Sequence, residues 1–384
     1  MEKLPNVRPR LFCPGPTPVP NEAAIAALHT NIYHRSADFK QHFQRARSLL
    51  CDFFDSPEGP IILTSSGTGA LEAALVNLTS PGDEILVING GKFGERWQKL
   101  GQTYQCSVDV IEVSWGQSPE INDILTKLQS RPNTKALFLQ ANETSTGVAY
   151  PIEEIARAVR KQRPEILIVV DAVSALVAHH VKLKSWDLDC VISGSQKGFG
   201  VPPGLAFLAL SERAWSHISK RPRFYFDLLR ERQAQAEGQT AWTPATTLVL
   251  SLEVALQKLH EIGVDACVAH HALMAKACRA AAGALGLELY SQSHHSQALT
   301  AIRLPSGMDG SQLVKVCREK FGAIFAGGQD QAKGTIIRIA HLGVFDQFDI
   351  ITALSAFEFG LREMGSRHDI GVGVQAAMKT MTAG

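Results

Sequence analysis

Five short runs, Ile61 to Leu63, Glu84 to Ile88, Ala136 to Leu139, Ile166 to Val170 and Cys190 to Ile192, are almost wholly apolar and are separated by helix-sized segments. Runs this short, with no polar alternation, read as strands buried on both faces, and a parallel sheet sandwiched by helices provides that environment. The intervening segments agree. Ala70 to Leu78 follows the first run at once. In Pro151 to Arg160 the proline suits a first turn, while Ile152, Ile155, Ala156 and Val159 share one apolar face. This alternation predicts an α/β fold, a mostly parallel sheet flanked by helices.

A chain of 384 residues exceeds what one hydrophobic core supports, so two domains are expected. Beyond Thr243 the texture changes to long helical patterns at Leu248 to Glu261 and Ala266 to Leu285, then strand-like pieces at Ala298 to Leu304 and Thr335 to Ala340. These read as a smaller C-terminal α+β domain. The boundaries expected are an N-terminal arm over 1–20, a large domain over 21–250, a small domain over 251–366 and a tail over 367–384, read as a mobile terminus. Leu11 to Pro20 is too rich in proline and glycine for helix or sheet, and such an extended arm suits contact with a partner.

Lys and Arg total 38 against 37 Asp and Glu, a balance that gives no general attraction to nucleic acid or an anionic membrane. Small molecules are the expected partners. The seven cysteines, Cys13, Cys51, Cys106, Cys190, Cys267, Cys278 and Cys317, form no C-x-x-C pair and read as buried thiols of a reducing compartment. No secretory signal or bilayer-spanning run is visible, so the expected location is cytoplasmic. Adjacent histidines at 179–180, 270–271 and 294–295 point in different directions on any regular element, so they read as core or surface residues rather than metal ligands.

In an open α/β sheet, ligands gather beyond the carboxyl ends of the strands, and three such places carry chemistry. After Leu63 comes Thr64-Ser65-Ser66-Gly67-Thr68-Gly69, leading into a helix. Small residues, hydroxyls and open N–H groups at a helix start suit a phosphate, although a Ser/Gly turn is also an ordinary cap. Asp171 follows Ile166 to Val170 and presents a carboxylate that needs a cationic partner, for which a protonated pyridine nitrogen or a protein cation would serve. Lys197, in Ser193-Gly194-Ser195-Gln196-Lys197-Gly198, is set among small residues with few charges nearby. Desolvation there would lower its pKa toward a nucleophilic amine. Together the three read as phosphate cradle, pyridinium partner and imine-forming amine, a combination far more specific than any member.

These segments resemble the class V aminotransferases of the alanine-glyoxylate and serine-pyruvate type, which are fold-type I pyridoxal phosphate enzymes. Pro14-Gly15-Pro16-Thr17-Pro18, His34-Arg35-Ser36, Ser66 to Glu72, Glu143 to Gly147, Asp171 to Ser174 and Ser193 to Lys197 all stand in family order, so the resemblance covers nearly the whole chain. It implies pyridoxal 5'-phosphate held by Lys197 as a Schiff base, with its phosphate near Ser66, Gly67, Thr68 and Gln196 and near Thr243 of a neighbouring subunit. It further implies Phe93 stacked on the ring, Val173 on the opposite face, Thr144 near the ring hydroxyl and Arg338 gripping the substrate carboxylate. A homodimer with a shared site follows from the same resemblance. So does ping-pong transfer from alanine or serine to glyoxylate or pyruvate, with Lys197 moving the proton and Asp171 steadying the ring. Two positions depart from the animal alanine-glyoxylate enzymes: Thr68 stands where they have histidine, and Thr240, with Trp242 nearby, where they have tyrosine. The substrate pair is therefore less constrained than the cofactor.

Three other readings compete. A lyase of the cysteine desulfurase type needs a thiol on a loop over the site, yet Cys317 sits in a helix-like stretch and Phe325 to Gly328 contains no cysteine. A non-enzymatic subunit of a soluble hydrogenase-like redox complex would need clustered cysteines, and these are dispersed. A binding module that had lost its chemistry would be expected to lack Lys197 or Asp171, and both are present.

Overall fold

The computed structural model describes residues 7–383, so the first six residues of the expected arm and the last residue of the expected tail lie outside it. A seven-stranded sheet runs in the order Ile61–Thr64, Leu205–Leu210, Cys190–Gly194, Leu167–Asp171, Ala136–Gln140, Glu84–Asn89, Ser107–Glu112. Leu205–Leu210 is antiparallel to both neighbours and every other pairing is parallel. The absence of alternation in the sequence now has its cause. Leu86, Ile88, Leu137, Leu139, Ile168 and Val170 point into one core, while Ile85, Val87, Ala136, Phe138, Leu167 and Val169 point into the other. Each buried aliphatic side chain contributes roughly 1.5–3 kcal/mol, and a polar residue there would need a hydrogen-bond partner to repay its desolvation.

The C-terminal part builds a three-stranded antiparallel sheet with Ile336–Ala340 between Leu299–Arg303 and Ala326–Gly327. Its core takes residues from the helices Val264–Ala284, Gly310–Phe321 and Gln347–Glu363. Three expectations need correction here. The boundary at residue 250 cuts the helix Thr246–Ile262, whose Leu252, Ala255, Leu256 and Leu259 belong to the large-domain core. A φ of 90° at Gly263 breaks that helix from the next, which still places Cys267 in the large-domain core before Met274 enters the small-domain one. The supposed mobile tail carries the helix Val372–Thr382. Its Val374, Ala377 and Met381 pack into the small-domain core, and the buried Glu358 carboxylate accepts from Gly371 N–H and Val374 N–H at the helix start.

The arm is the third correction. Arg10–Leu11 does pair as a short strand, parallel to Ala323–Ile324, and Phe12 stacks on Phe325 at 5.7 Å in the small-domain core. Proline and glycine forbid a long strand, but two residues between Pro9 and Pro14 suffice for this pairing. The arm thus lies across its own chain.

Where the two parts meet, His179, His271 and His341 form a cluster. His179 Nε2 accepts from Gln297 N–H (2.9 Å), His271 Nε2 from Gly343 N–H (3.1 Å), and His341 bonds Gln297 O (2.7 Å) and Thr300 Oγ1 (3.0 Å). Burial pushes them down to about 3, 4 and 3 respectively, so all are neutral at physiological pH. Below about pH 6.5 the unfolded chain takes up protons that these folded groups refuse. Stability should then fall by about 1.4 kcal/mol per pH unit for each group, until the folded groups themselves titrate. Asp171 and Glu143, pushed up by burial, act in the opposite sense. Urea midpoints measured from pH 7 to pH 4.5 should therefore decline, and His341→Gln should flatten the decline; an unchanged slope in that variant refutes the assignment.

Candidate active site

Ser195 ties the chain back to the sheet just past Cys190–Gly194: its hydroxyl donates to Pro202 O (2.7 Å) and accepts from Leu205 N–H (3.2 Å). Lys197 projects from the turn that follows. Burial pushes its amine down to about 8, Asp171 pulls it partly back, and Arg338 presses it further down. The amine donates to Pro14 O of the arm. Thr17 fastens that arm to the same turn, with Oγ1 donating to Lys197 O (2.8 Å) and N–H to Gln196 O (3.1 Å). Gly15, at φ 117°, passes so close that a Cβ there would stand 2.4 Å from Lys197 Nζ. Only glycine fits.

Asp171 closes the neighbouring strand. Its buried carboxylate accepts one hydrogen bond, from Val173 N–H at 2.9 Å, and has no ion-pair partner among the described residues. Burial pushes its carboxyl up, while the charges of Arg96 and Lys197 hold it down. Across from it the helix Gly67–Leu78 begins against Val173, with 3.0 Å between Val173 Cγ2 and the place a Cβ on Gly67 would occupy. Ser66 caps this helix at Gly69 N–H (3.4 Å), whereas the Gly67 and Thr68 N–H groups find no acceptor among the described residues. Gln196 Oε1 is also buried without a partner. The cradle is thus lined by open polar groups.

Phe93 lies at the start of the helix Lys92–Thr103, whose N-cap, Gly91, has no side chain to cap with. Glu143 does that work. Fully buried, its carboxylate accepts from Phe93 N–H (3.2 Å), Gly94 N–H (3.2 Å), Ser145 N–H (3.2 Å), Ser145 Oγ (2.5 Å) and Gln140 Nε2 (2.9 Å). The next residue, Thr144, bonds Ser174 Oγ through its hydroxyl (2.5 Å) and accepts from Arg338 Nη1 through its carbonyl (2.9 Å). Arg338 also donates Nε–H to Gly327 O (3.0 Å). Two carbonyls orient the guanidinium without neutralising it. Burial pushes it down to about 10, which still leaves it charged at neutral pH.

Lys197, Asp171, Arg338, Thr144, Val173, Gly67, Thr68, Phe93 and Gln196 thus gather around one cleft, with Ser66 at its helix end. Thr243 does not join them: it is exposed and bonds none of these groups within the chain. Sequence reading assigned no role to Glu143 or Pro14, and it missed Arg96 although Arg96 stands one turn from Phe93. It also counted Cys13 and Cys51 among buried thiols. Both are half-buried, and a charged Cys13 would act on Lys197 and Arg338. Hydrogen bonds and apolar patterning gave no sign of this, since the arm reaches the site only through the tertiary fold.

The sequence model of the family described as aminotransferase class-V matches residues 22–344. A relative named soluble hydrogenase 42 kDa subunit, from Anabaena cylindrica, is 37% identical over 378 residues, spanning 97% of this chain and 98% of its own. Serine–glyoxylate aminotransferase of Hyphomicrobium methylovorum is 32% identical over 381 residues, covering 97% of this chain and 94% of its own. Among solved structures, aspartate aminotransferase of subgroup IV from Thermus thermophilus superposes with a TM-score of 0.87 at 33% identity, over 92% of this chain and 99% of its own.

The depressed amine gives a direct check on the protein without cofactor. Amine-specific acylation of Lys197, followed by peptide mapping across pH, should be half-maximal near pH 8, and Asp171→Asn should move that midpoint lower by removing the carboxylate that raises it. A midpoint at or above 10, the range of solvated lysines, would show that the fold does not desolvate this group.

Proposed function

The chain belongs to the class V aminotransferases, fold-type I enzymes whose cofactor is pyridoxal phosphate, and on that premise we propose that it carries an amino group from alanine or serine to glyoxylate or pyruvate. The reading has the two half-reactions of ping-pong kinetics, run in a homodimer.

The residues fit the cofactor. Asp171 offers a buried carboxylate with no ion-pair partner among the described residues, and a positively charged ring nitrogen set against it would hold it ionised despite burial. Gly67 and Thr68 N–H groups, Ser66 and the side-chain NH2 of Gln196 offer donors for a phosphate, with Thr243 of a second subunit completing the cradle. Phe93 and Val173 would cover the two ring faces, and Thr144 would meet the ring hydroxyl. Pyridoxal phosphate supplies an aldehyde that condenses with amines and a ring that accepts the electron pair released at an amino acid Cα.

Within this frame the chain's own groups have separable tasks. Lys197 takes the proton from the substrate Cα and returns it elsewhere, for which an amine near 8 is well matched to neutral and mildly alkaline conditions. Arg338 binds the substrate carboxylate. The single observation that carries the proposal is this guanidinium: buried, aimed by Thr144 O and Gly327 O, and left without an acid of its own among the described residues. The arm, pressed on Lys197 at Pro14 and Gly15, leaves little room above the amine, which favours donors with small side chains.

One observation favours lyase chemistry on cysteine instead, the half-buried Cys13 near Lys197 and Arg338. The fully buried Cys317, whose thiol burial pushes up to about 12, does not. No three His, Cys, Asp or Glu side chains gather as metal ligands do among the described residues, so nothing in the site itself argues for a hydrogenase role.

Holoenzyme given alanine or serine alone should release one equivalent of 2-oxo acid per subunit and then stop until glyoxylate or pyruvate is added. Arg338→Gln should raise the donor KM by about a hundredfold, corresponding to about 2.8 kcal/mol. Sulfide release from cysteine that vanishes in Cys13→Ser, with no turnover of alanine or serine, would overturn the proposal.

A further inference from the structure

Arg96 has no assigned task, and unlike several of the protein's arginines it is not neutralised by an acid. Arg160 and Arg213 are both engaged by Asp187 and Asp189, and Arg232 by Glu58 and Glu212. Arg96 has no carboxylate within ion-pair distance among the described residues. It stands on the helix Lys92–Thr103 one turn beyond Phe93, with its guanidinium carbon 4.9 Å from the centroid of that ring. Its Nη1 donates to Thr68 Oγ1 at 3.1 Å. Thr68 is the second residue of the helix Gly67–Leu78, whose first N–H groups are open, and the charge of Arg96 reaches Asp171 and Lys197 across the same cleft.

Two consequences follow from this geometry. A threonine hydroxyl that accepts from a guanidinium has its lone pair engaged and its own proton free, so it becomes a fixed donor. A half-buried cation beside the positive end of a helix, with no acid within ion-pair distance among the described residues, adds to a local potential that an anion relieves. We propose that Arg96 is a binding residue for the cofactor phosphate: it sets Thr68 Oγ1 as a donor to a phosphate oxygen and lends the cradle a full positive charge. This rests on the cofactor alone and not on the substrate pair proposed above, so a failure of one leaves the other standing.

Equilibrium binding to the protein freed of cofactor separates phosphate recognition from ring support, because pyridoxal has the ring and lacks the phosphate. Arg96→Gln should weaken pyridoxal phosphate by about tenfold or more, the scale of one charge-assisted contact. It should leave pyridoxal within about twofold, and retained pyridoxal binding reports that the variant is folded. Arg96→Lys, which keeps the charge, should recover part of the loss. Thr68→Val should weaken pyridoxal phosphate as well, and in combination with Arg96→Gln the losses should not add, as expected of two groups acting as one. Equal weakening of both ligands would make Arg96 a support for Phe93 or for the fold. Unchanged binding of both would leave it idle. Either result overturns the assignment.

Discussion

Burial pushes the Lys197 amine down and the Asp171 carboxyl up, and the site depends on leaving each without an ion-pair partner inside the protein. A direct ion pair between the two would fix both as charges and leave nothing to react. Instead the amine rests on a backbone carbonyl of the arm and the carboxylate on one backbone N–H. Each is held by a neutral partner that can be exchanged for a ligand. Apolar strands on either side supply the low dielectric that gives these placements their force.

A second constraint joins the halves of the cleft. Residues 143 and 144 are adjacent, yet their functions face opposite ways. The Glu143 side chain fixes the helix that carries Phe93, and the Thr144 carbonyl orients Arg338 on the small-domain sheet. A shift of this one dipeptide would move the aromatic ring and the guanidinium together. The arrangement explains why so polar a segment lies entirely buried: nearly every donor and acceptor in it is used. Asn142 Oδ1 and Gln140 Oε1 remain unpaired beside it.

Much of this was readable before the fold was seen. Strands buried on both faces announce themselves by unbroken apolar runs; Asp171 stands out because charge immediately after such a run is costly, and Lys197 because it sits among small residues with few charges nearby. The helix start at Gly67 was legible from its small residues. Other features depend on distant partners. Nothing local in Glu143 says that it caps a helix fifty residues earlier, and nothing in Val374, Ala377 and Met381 says which surface awaits them. The domain boundary was misplaced for a similar reason: the helix Thr246–Ile262 is amphipathic toward a core made by residues far upstream. Arg96 was within reach, being one turn from a residue already chosen, but a charged residue on a helix reads as solvated until its neighbour across the cleft is known.

The attachment of the arm has a further consequence, for how the polypeptide matures. Arg10–Leu11 finds its pairing at Ala323–Ile324, and Pro14 to Thr17 is held between Lys197 and the segment at Gly343. Residues made first must therefore wait for residues made late, an interval of roughly a quarter of a minute to a minute at ordinary rates of translation. Throughout that time the large domain could assemble with its reactive lysine uncovered. The arm's anchorage over the amine is therefore complete only after the strand Ala323–Ile324 and the segment at Gly343 have been made.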